Sequence, residues 1–353
     1  MTKSLFNLPD GVEDILSDKA KELEILKRSL LDLYSSKNFE LIYPSIIEYA
    51  DALGGEVNSE LKNSAFTFYD DLSSNEIAIR PDISQQIARI DQASNRTDIQ
   101  KYCYAGEVLK KRKDSFSKSR VTIKAGIETF GPNHDEKETF ELLIESFKLA
   151  GVNKVTLSLG KTEALDEIIS QCALTKEKEI ELRKLISTKS QSNLEEWLMT
   201  LGIDKEIQSK INQLMNCHGN IDTLDKIIGL SQIAKNNVEQ LKELATHFKS
   251  MKNIDLHFDM TDFPGFNYHK GLVFSAHSKD FGFAIANGGQ YESKNSDNKI
   301  RNAIGFDIDL ISLIKIKNLD NILGIILSGG PNSVIENNDY NLPDLLFEKN
   351  TPL

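Results

Sequence analysis

"YAGEVLKKRKDSFSKSRVTIKAGIETFG", Tyr104 to Gly131, alternates apolar and polar side chains at both ends and places a polar, cationic turn between them. A period of two marks a strand with one buried face, so the stretch reads as a β-hairpin. Between Glu107 and Lys124 it carries seven Lys or Arg against two acids, Glu107 and Asp114, in a chain of net charge −11. Two readings of the turn are open. Exposed charges on turns are commonplace and of little energetic consequence, which makes it a solvated loop. Alternatively Lys110, Arg112 and Arg120 converge on a polyanion such as a nucleotide.

Working outward, Leu23, Leu26, Leu30, Leu33 and Tyr34 recur at helical spacing, with Ser17 expected to cap the helix start. "NFELIYP" (38–44) reads as a strand stopped by a proline. "NEIAIRPD" (75–82) reads as a second, with Pro81 opening the helix "DISQQIARIDQA". After the hairpin, Phe140, Leu143, Ile144 and Phe147 form a helical stripe closed by Gly151, and "KVTLSLG" (154–160) is again a strand. Residues 161–252 show no convincing strand and no proline. They read as a helical insert, a separate lobe between that strand and "IDLHFDM" near residue 254. "LVFSAHS" and "FGFAIANGGQY" are two further strands joined at Lys279–Asp280, and "NAIGFDIDLISLIKI" reads as a helix entered through Gly305. Hairpins without strict β-α alternation predict an α+β fold, a mainly antiparallel sheet flanked by helices.

Composition narrows the function classes. A chain of 353 residues, 40% hydrophobic and 27% charged, has the make-up of a soluble globular protein with room for roughly two or three compact units. Its 53 acids against 42 basic residues argue against a surface built to lie along nucleic acid. The first residues lack the apolar core of a signal peptide, and "ILGIIL" (322–327) is far short of a membrane span, so a cytoplasmic protein is expected. Three scattered cysteines suit a reducing compartment, and no second pair beside Cys217 and His218 stands at zinc-like spacing, so no metal is expected.

The candidate chemistry is sparse. "LGKT" (159–162) mimics the end of a phosphate-binding loop, but the glycine required five residues earlier is Val155, so that motif fails. No GxGxxG is present, and no nucleotide cofactor is expected. In "NGGQY", Gly288 and Gly289 allow either a bulge or close approach of a ligand to the backbone. Glu128, on the returning hairpin strand, and Asp82, after the arginine of "IRPD", are surface charges or holders of an amino group. Tyr268 and His269 are core residues or pocket wall. No Ser/His/Asp or Cys/His arrangement stands out.

Taken in order, "KNFELIYP", the basic hairpin and "AIGFDIDL" resemble motifs 1, 2 and 3 of class II aminoacyl-tRNA synthetases. "IRPD", "AGIETFG" and "NGGQY" resemble the Arg-Pro-Glu, the Glu-bearing strand and the Gly-Gly-Arg-Tyr of the histidyl-tRNA synthetase branch. The resemblance runs from about residue 5 to residue 315. It implies a discontinuous core (1–160 and 253–315), the insertion 161–252 and a short segment 316–353. The roughly 40 residues after Leu313 are too few for an anticodon-binding domain. It also implies self-association through residues 39–44 and the preceding helix.

Departures from the branch set the expected function. The ATP-gripping Arg and Glu of motif 2 correspond to Lys110 and Arg112, the motif 3 arginine to Ser312, and the branch's own catalytic arginine to Pro264. Loss of one such contact costs about 3–4 kcal/mol in a transition state. This degenerate nucleotide site (Lys110, Arg112, Arg120, Pro264, Ser312), with "FNLPDGVEDIL" and "YHKGLVFSAH", resembles the family of ATP phosphoribosyltransferase regulatory subunits. The resemblance implies a non-catalytic chain without cofactor or tRNA. Such a chain partners the short catalytic subunit in the first step of histidine biosynthesis and carries feedback by histidine. It further implies a histidine pocket of Asp82, Glu128, Tyr268, His269, Gly288 and Gly289, although the branch's glutamine on the Glu128 strand is here Lys124. The competing expectation is a divergent class II ligase that still activates an amino acid with ATP.

Overall fold

The computed structural model describes residues 7–53, 59–112, 119–132, 135–249, 251, 253–261, 269–279, 283–294 and 300–316. In chain order the elements are α1 (Ser17–Ser36), β1 (Glu40–Leu41), β2 (Ile47–Tyr49), α2 (Ser59–Ser64), β3 (Phe66–Asp70), β4 (Asn75–Ile79), α3 (Ser84–Ser94), β5 (Gln100–Leu109), β6 (Val121–Phe130), α4 (Glu136–Leu149) and β7 (Val155–Lys161). There follow α5 (Glu163–Ser170), α6 (Lys176–Ser187), α7 (Gln191–Thr200), α8 (Lys205–Met215), β8 (His218–Gly219), α9 (Gln232–Phe248), β9 (Ile254–Asp259), β10 (His269–His277), β11 (Ala284–Lys294), β12 (Ile300–Asp309) and α10 (Leu310–Ile316).

A nine-stranded sheet in the order β1-β5-β6-β12-β11-β10-β7-β9-β8 carries the fold, and a three-stranded sheet, β2-β4-β3, stands beside it. Pairing in the large sheet is antiparallel except for β1 with β5 and β7 with β9. The hairpin forms as its alternation requires, Tyr104 facing Gly126 and Leu109 facing Val121. One sheet face is apolar. Leu157, Leu159, Phe274, Phe306 and Ile308 pack there against α1 and α4, whose Leu26, Leu30, Tyr34, Phe140 and Phe147 are buried. The α4 stripe closes as expected. Gly151 takes φ +75° and donates its N–H to the Lys148 carbonyl.

The insert supplies helices α5 to α9, and also the two-residue β8, which pairs with β9. Its apolar residues join the same cluster as the sheet core rather than forming their own. Phe248 of α9 meets the Phe140 ring edge-on at 5.2 Å, and Phe140 touches Phe274 of β10 at 4.5 Å.

Several local expectations are corrected. Residues 300–309 form a strand, not a helix. Gly305 sits mid-strand because an added Cβ would collide with the Ile127 carbonyl and the Glu128 carboxyl of β6. The strand expected at 38–44 shrinks to Glu40–Leu41. Ser17 is the first helical residue and makes no side-chain cap, Leu16 holding the cap position. Pro81 precedes α3 by three residues instead of opening it. The tail beyond residue 316, the hairpin tip 113–118 and Asp280 lie outside the described residues.

Candidate functional site

The face of the large sheet opposite the helical core is polar. In register across seven strands lie Tyr104, Gly126, Asp307, Asn287, Ser275, Ser158 and His257. Strand alternation puts Lys124 and Glu128 on this face with Gly126, and α3 covers its Tyr102–Phe130–Tyr291 end. The result is a polar face built on strands rather than on loops, which holds its groups in fixed geometry.

Glu128 is buried (1% exposed) between two phenols. Tyr291 donates to its Oε2 at 2.9 Å and Tyr104 to its Oε1 at 3.4 Å, with Ser84 Oγ 3.3 Å from the same Tyr104 hydroxyl. Burial raises its pKa to about 8, so at neutral pH it is a neutral acid knitting β5, β6 and β11 together. Asp82 is also buried (3% exposed), and its Oδ2 makes no hydrogen bond among the described residues. Burial pushes its carboxyl above the ordinary range, while the neighbouring Lys124 ammonium pulls it back. Lys124 Nζ binds Asp307 Oδ2 at 2.7 Å. Although burial works against that ammonium, Asp307 and Asp82 hold its pKa above the usual lysine value. The Oδ1 of Asn287, which faces Asp307 in register, is likewise buried and makes no hydrogen bond among the described residues.

The other expected pocket residues divide. His269 faces Tyr291 and overlies Gly289, where an added Cβ would fall 2.7 Å from its Cδ2. Gly288 turns to the opposite face, under the ring of Phe274, so its missing side chain serves packing between strands. Tyr268 and Pro264 lie outside the described residues. Asp82, Glu128, His269 and Gly289 thus meet on one face, joined by Asp307, Asn287, Tyr104 and Tyr291, which the sequence reading did not select. Their alternation with apolar neighbours was the available signal.

The residues of the degenerate nucleotide site are dispersed among the described residues. Arg120 places its guanidinium 4.7 Å over the Phe66 ring and donates from Nε to the Lys110 carbonyl at 3.4 Å. Arg112 is exposed at the turn, and Lys110 lies within electrostatic reach of Asp82. Ser312 is buried on α10, its N–H bound to Asp309 Oδ1, which caps that helix. Lys161 of the rejected "LGKT" motif is tied to Gln240 and Glu163 on the helical side. Among the described residues no group of three or more His, Cys, Asp or Glu is placed to hold a metal, and no helix is long and apolar enough to cross a membrane.

This sheet, polar on one face and covered by helices on the other, is the core of a class II, histidyl-tRNA synthetase-like protein. Residues 11–313 match the histidyl-tRNA synthetase family model. Among curated relatives, the ATP phosphoribosyltransferase regulatory subunit of Hydrogenovibrio crunogenus is 30% identical over 321 residues, covering 88% of this chain and 82% of that one. An ATP phosphoribosyltransferase regulatory subunit/histidyl-tRNA synthetase from Bacillus halodurans superposes with TM-score 0.74 at 20% identity over 89% of this chain and 84% of that one. A chain of the ATP phosphoribosyl transferase (HisG:HisZ) complex from Thermotoga maritima does so with TM-score 0.60 at 18% identity over 82% and 97%. The chain belongs to the histidyl-tRNA synthetase family and, within it, to the ATP phosphoribosyltransferase regulatory subunits.

Proposed function

We propose that this chain is a non-catalytic regulatory subunit that assembles with a separate catalytic ATP phosphoribosyltransferase subunit in the first step of histidine biosynthesis, and that histidine bound on its polar sheet face adjusts the activity of the assembly. The observation that carries the reading is an asymmetry among the residues of interest: the acids Asp82 and Glu128 are buried on the polar sheet face, whereas Ser312 is buried on α10 and Arg112 is exposed at the turn. Stabilising a reacting triphosphate needs donors aimed at the developing charge, and Arg120 instead lies over the Phe66 ring. Recognition of a small amino acid needs only a few oriented polar groups.

Feedback requires the effector to bind one state of the complex better than the other, and coupling of about 1–3 kcal/mol suffices. Self-association is assigned to Tyr43, Ile47, Tyr49, Phe68 and Tyr69, exposed apolar residues at and near β2 and β3. Phe39 and the apolar stripe of α1, by contrast, are buried in the core. The chain is read as acting without tRNA and without a cofactor, with 161–252 as an insertion in a discontinuous core.

The test is co-purification with a short-form catalytic phosphoribosyltransferase, followed by activity with and without this chain and with and without histidine. Complex formation, activation and histidine-dependent inhibition are expected. Histidine-dependent ATP–pyrophosphate exchange by the isolated chain would instead establish a ligase.

A further inference from the structure

The proposed function makes no use of the insert, yet the insert carries a groove of its own. Helices α7 and α8, with the helical turn Ile221–Ile227, enclose a surface groove of about 550 Å³, a volume ordinary for a binding site. Its lining is polar and cationic. Lys205 and Lys226 line it and form no ion pair among the described residues. The acid of the lining, Glu195, already accepts from Gln191 Nε2 at 2.8 Å.

Along α8 the lining carboxamides Gln208, Asn212 and Asn216 recur every four residues, a step of about 6 Å. Gln208 Nε2 donates to the Ile203 carbonyl and Asn216 Nδ2 to the Asn212 carbonyl, both at 2.8 Å. Each amide is thereby oriented and keeps its own side-chain oxygen to accept. Asn212 Oδ1 is buried and makes no hydrogen bond among the described residues, and a buried acceptor without a donor is costly. The ladder therefore suits N–H donors about 6 Å apart. An extended polypeptide presents them along one edge, every second residue, at about 6.7 Å. With two lysines at hand, the fitting occupant is an extended, acidic peptide.

The chain contains one. Residues 332–345, NSVIENNDYNLPDL, carry Glu336, Asp339 and Asp344 and no Lys, Arg or His. Glu336 follows Ile316, the end of α10, by 20 residues. That length reaches roughly 66 Å, against roughly 50 Å across a compact chain of this size. We propose that the groove holds segment 332–345 of the same chain in extended form. Its backbone N–H groups donate to the carboxamides of α8, and its carboxylates pair with Lys205 and Lys226.

Zero-length carbodiimide coupling, which joins a lysine to a carboxylate only in direct contact, tests this on the full chain, with the links read by mass spectrometry. Lys242 and Asp225, paired at 2.5 Å in the same insert, are the positive control. Lys205 or Lys226 should couple to Glu336, Asp339 or Asp344, and within one chain when unlabelled and heavy-nitrogen chains are mixed. Coupling of the control without coupling of either groove lysine to the segment overturns the proposal, as do links formed only between chains. Cleavage by a glutamate-specific protease gives an independent reading, since its rate at Glu336 follows the undocked fraction. Lys205 and Lys226 are exposed, so Lys205→Glu/Lys226→Glu leaves the fold intact. That variant should be cut at Glu336 about tenfold faster, and adding Asp339→Lys/Asp344→Lys should restore protection. An unchanged rate in the charge-reversed chain sinks the assignment.

Discussion

Tyr291 hands its phenol hydrogen to Glu128 Oε2 over 2.9 Å, and the two residues sit on strands separated by β12, whose Gly305 lies between them. The missing side chain at Gly305 makes room for the Glu128 carboxyl. A Glu on one strand, a Gly on the next and a Tyr on the third therefore act as one unit, which fixes one end of the polar face.

The charge state of this unit predicts a pH dependence. Folded Glu128 keeps its proton to about pH 8, against an ordinary value of 4.5. The unfolded chain releases that proton at the lower value, so stability falls as pH rises through this window and levels off above it. Glu128→Gln keeps the shape of the neutral acid and cannot ionise. Its stability relative to wild type should rise from about pH 5 to about pH 8, read from urea midpoints, whereas an offset independent of pH would refute the assignment.

Crowding at Gly305 predicts that Gly305→Ala destabilises by about 1–3 kcal/mol, the usual cost of overpacking. Gly229→Ala serves as the control, since an added Cβ there meets nothing within 4 Å. That change should stay within about 0.5 kcal/mol in the same denaturation series.

Arg301 makes a bidentate contact to Asp91, at 2.7 and 3.2 Å, and the Asp91 side chain is 0% exposed. Removal of the arginine strands a buried carboxylate, so Arg301→Ala should cost about 3–5 kcal/mol. Lysine lacks the planar fork and should restore only part of the loss. Calorimetric melting of the three proteins orders them, and full rescue by lysine would contradict the bidentate account.

Surface association predicts a contrast between two aromatic residues. Phe68→Glu changes an exposed side chain and should yield a folded monomer by sedimentation. Phe39→Ala empties a core site and should lower the melting temperature instead, with an expected cost of about 3–5 kcal/mol. A Phe68→Glu chain that sediments like wild type would move the interface elsewhere.

Some of this was legible in the chain alone, because it depends on near neighbours in sequence. Period-two alternation gave the hairpin pairing Tyr104 with Gly126, and helical spacing gave the α4 stripe and its glycine stop. Ordered motifs carried the synthetase-like fold and the acids Asp82 and Glu128. Residues 300–309 misled because strand alternation there runs straight into the short apolar helix Leu310–Ile316, and a local window merges the two.

Strand register across the sheet, a long-range property, decided the rest. It alone brings Lys124 to Asp307, 183 residues away, and turns Gly289 toward the polar face while Gly288 faces the core. Burial, which no local pattern reports, turned Glu128 from a presumed anion into a neutral acid held by Tyr104 and Tyr291. Composition and periodicity thus set which residues form strands and helices. Which charges meet, and which of them survive as charges, was settled only when the strands paired and excluded water.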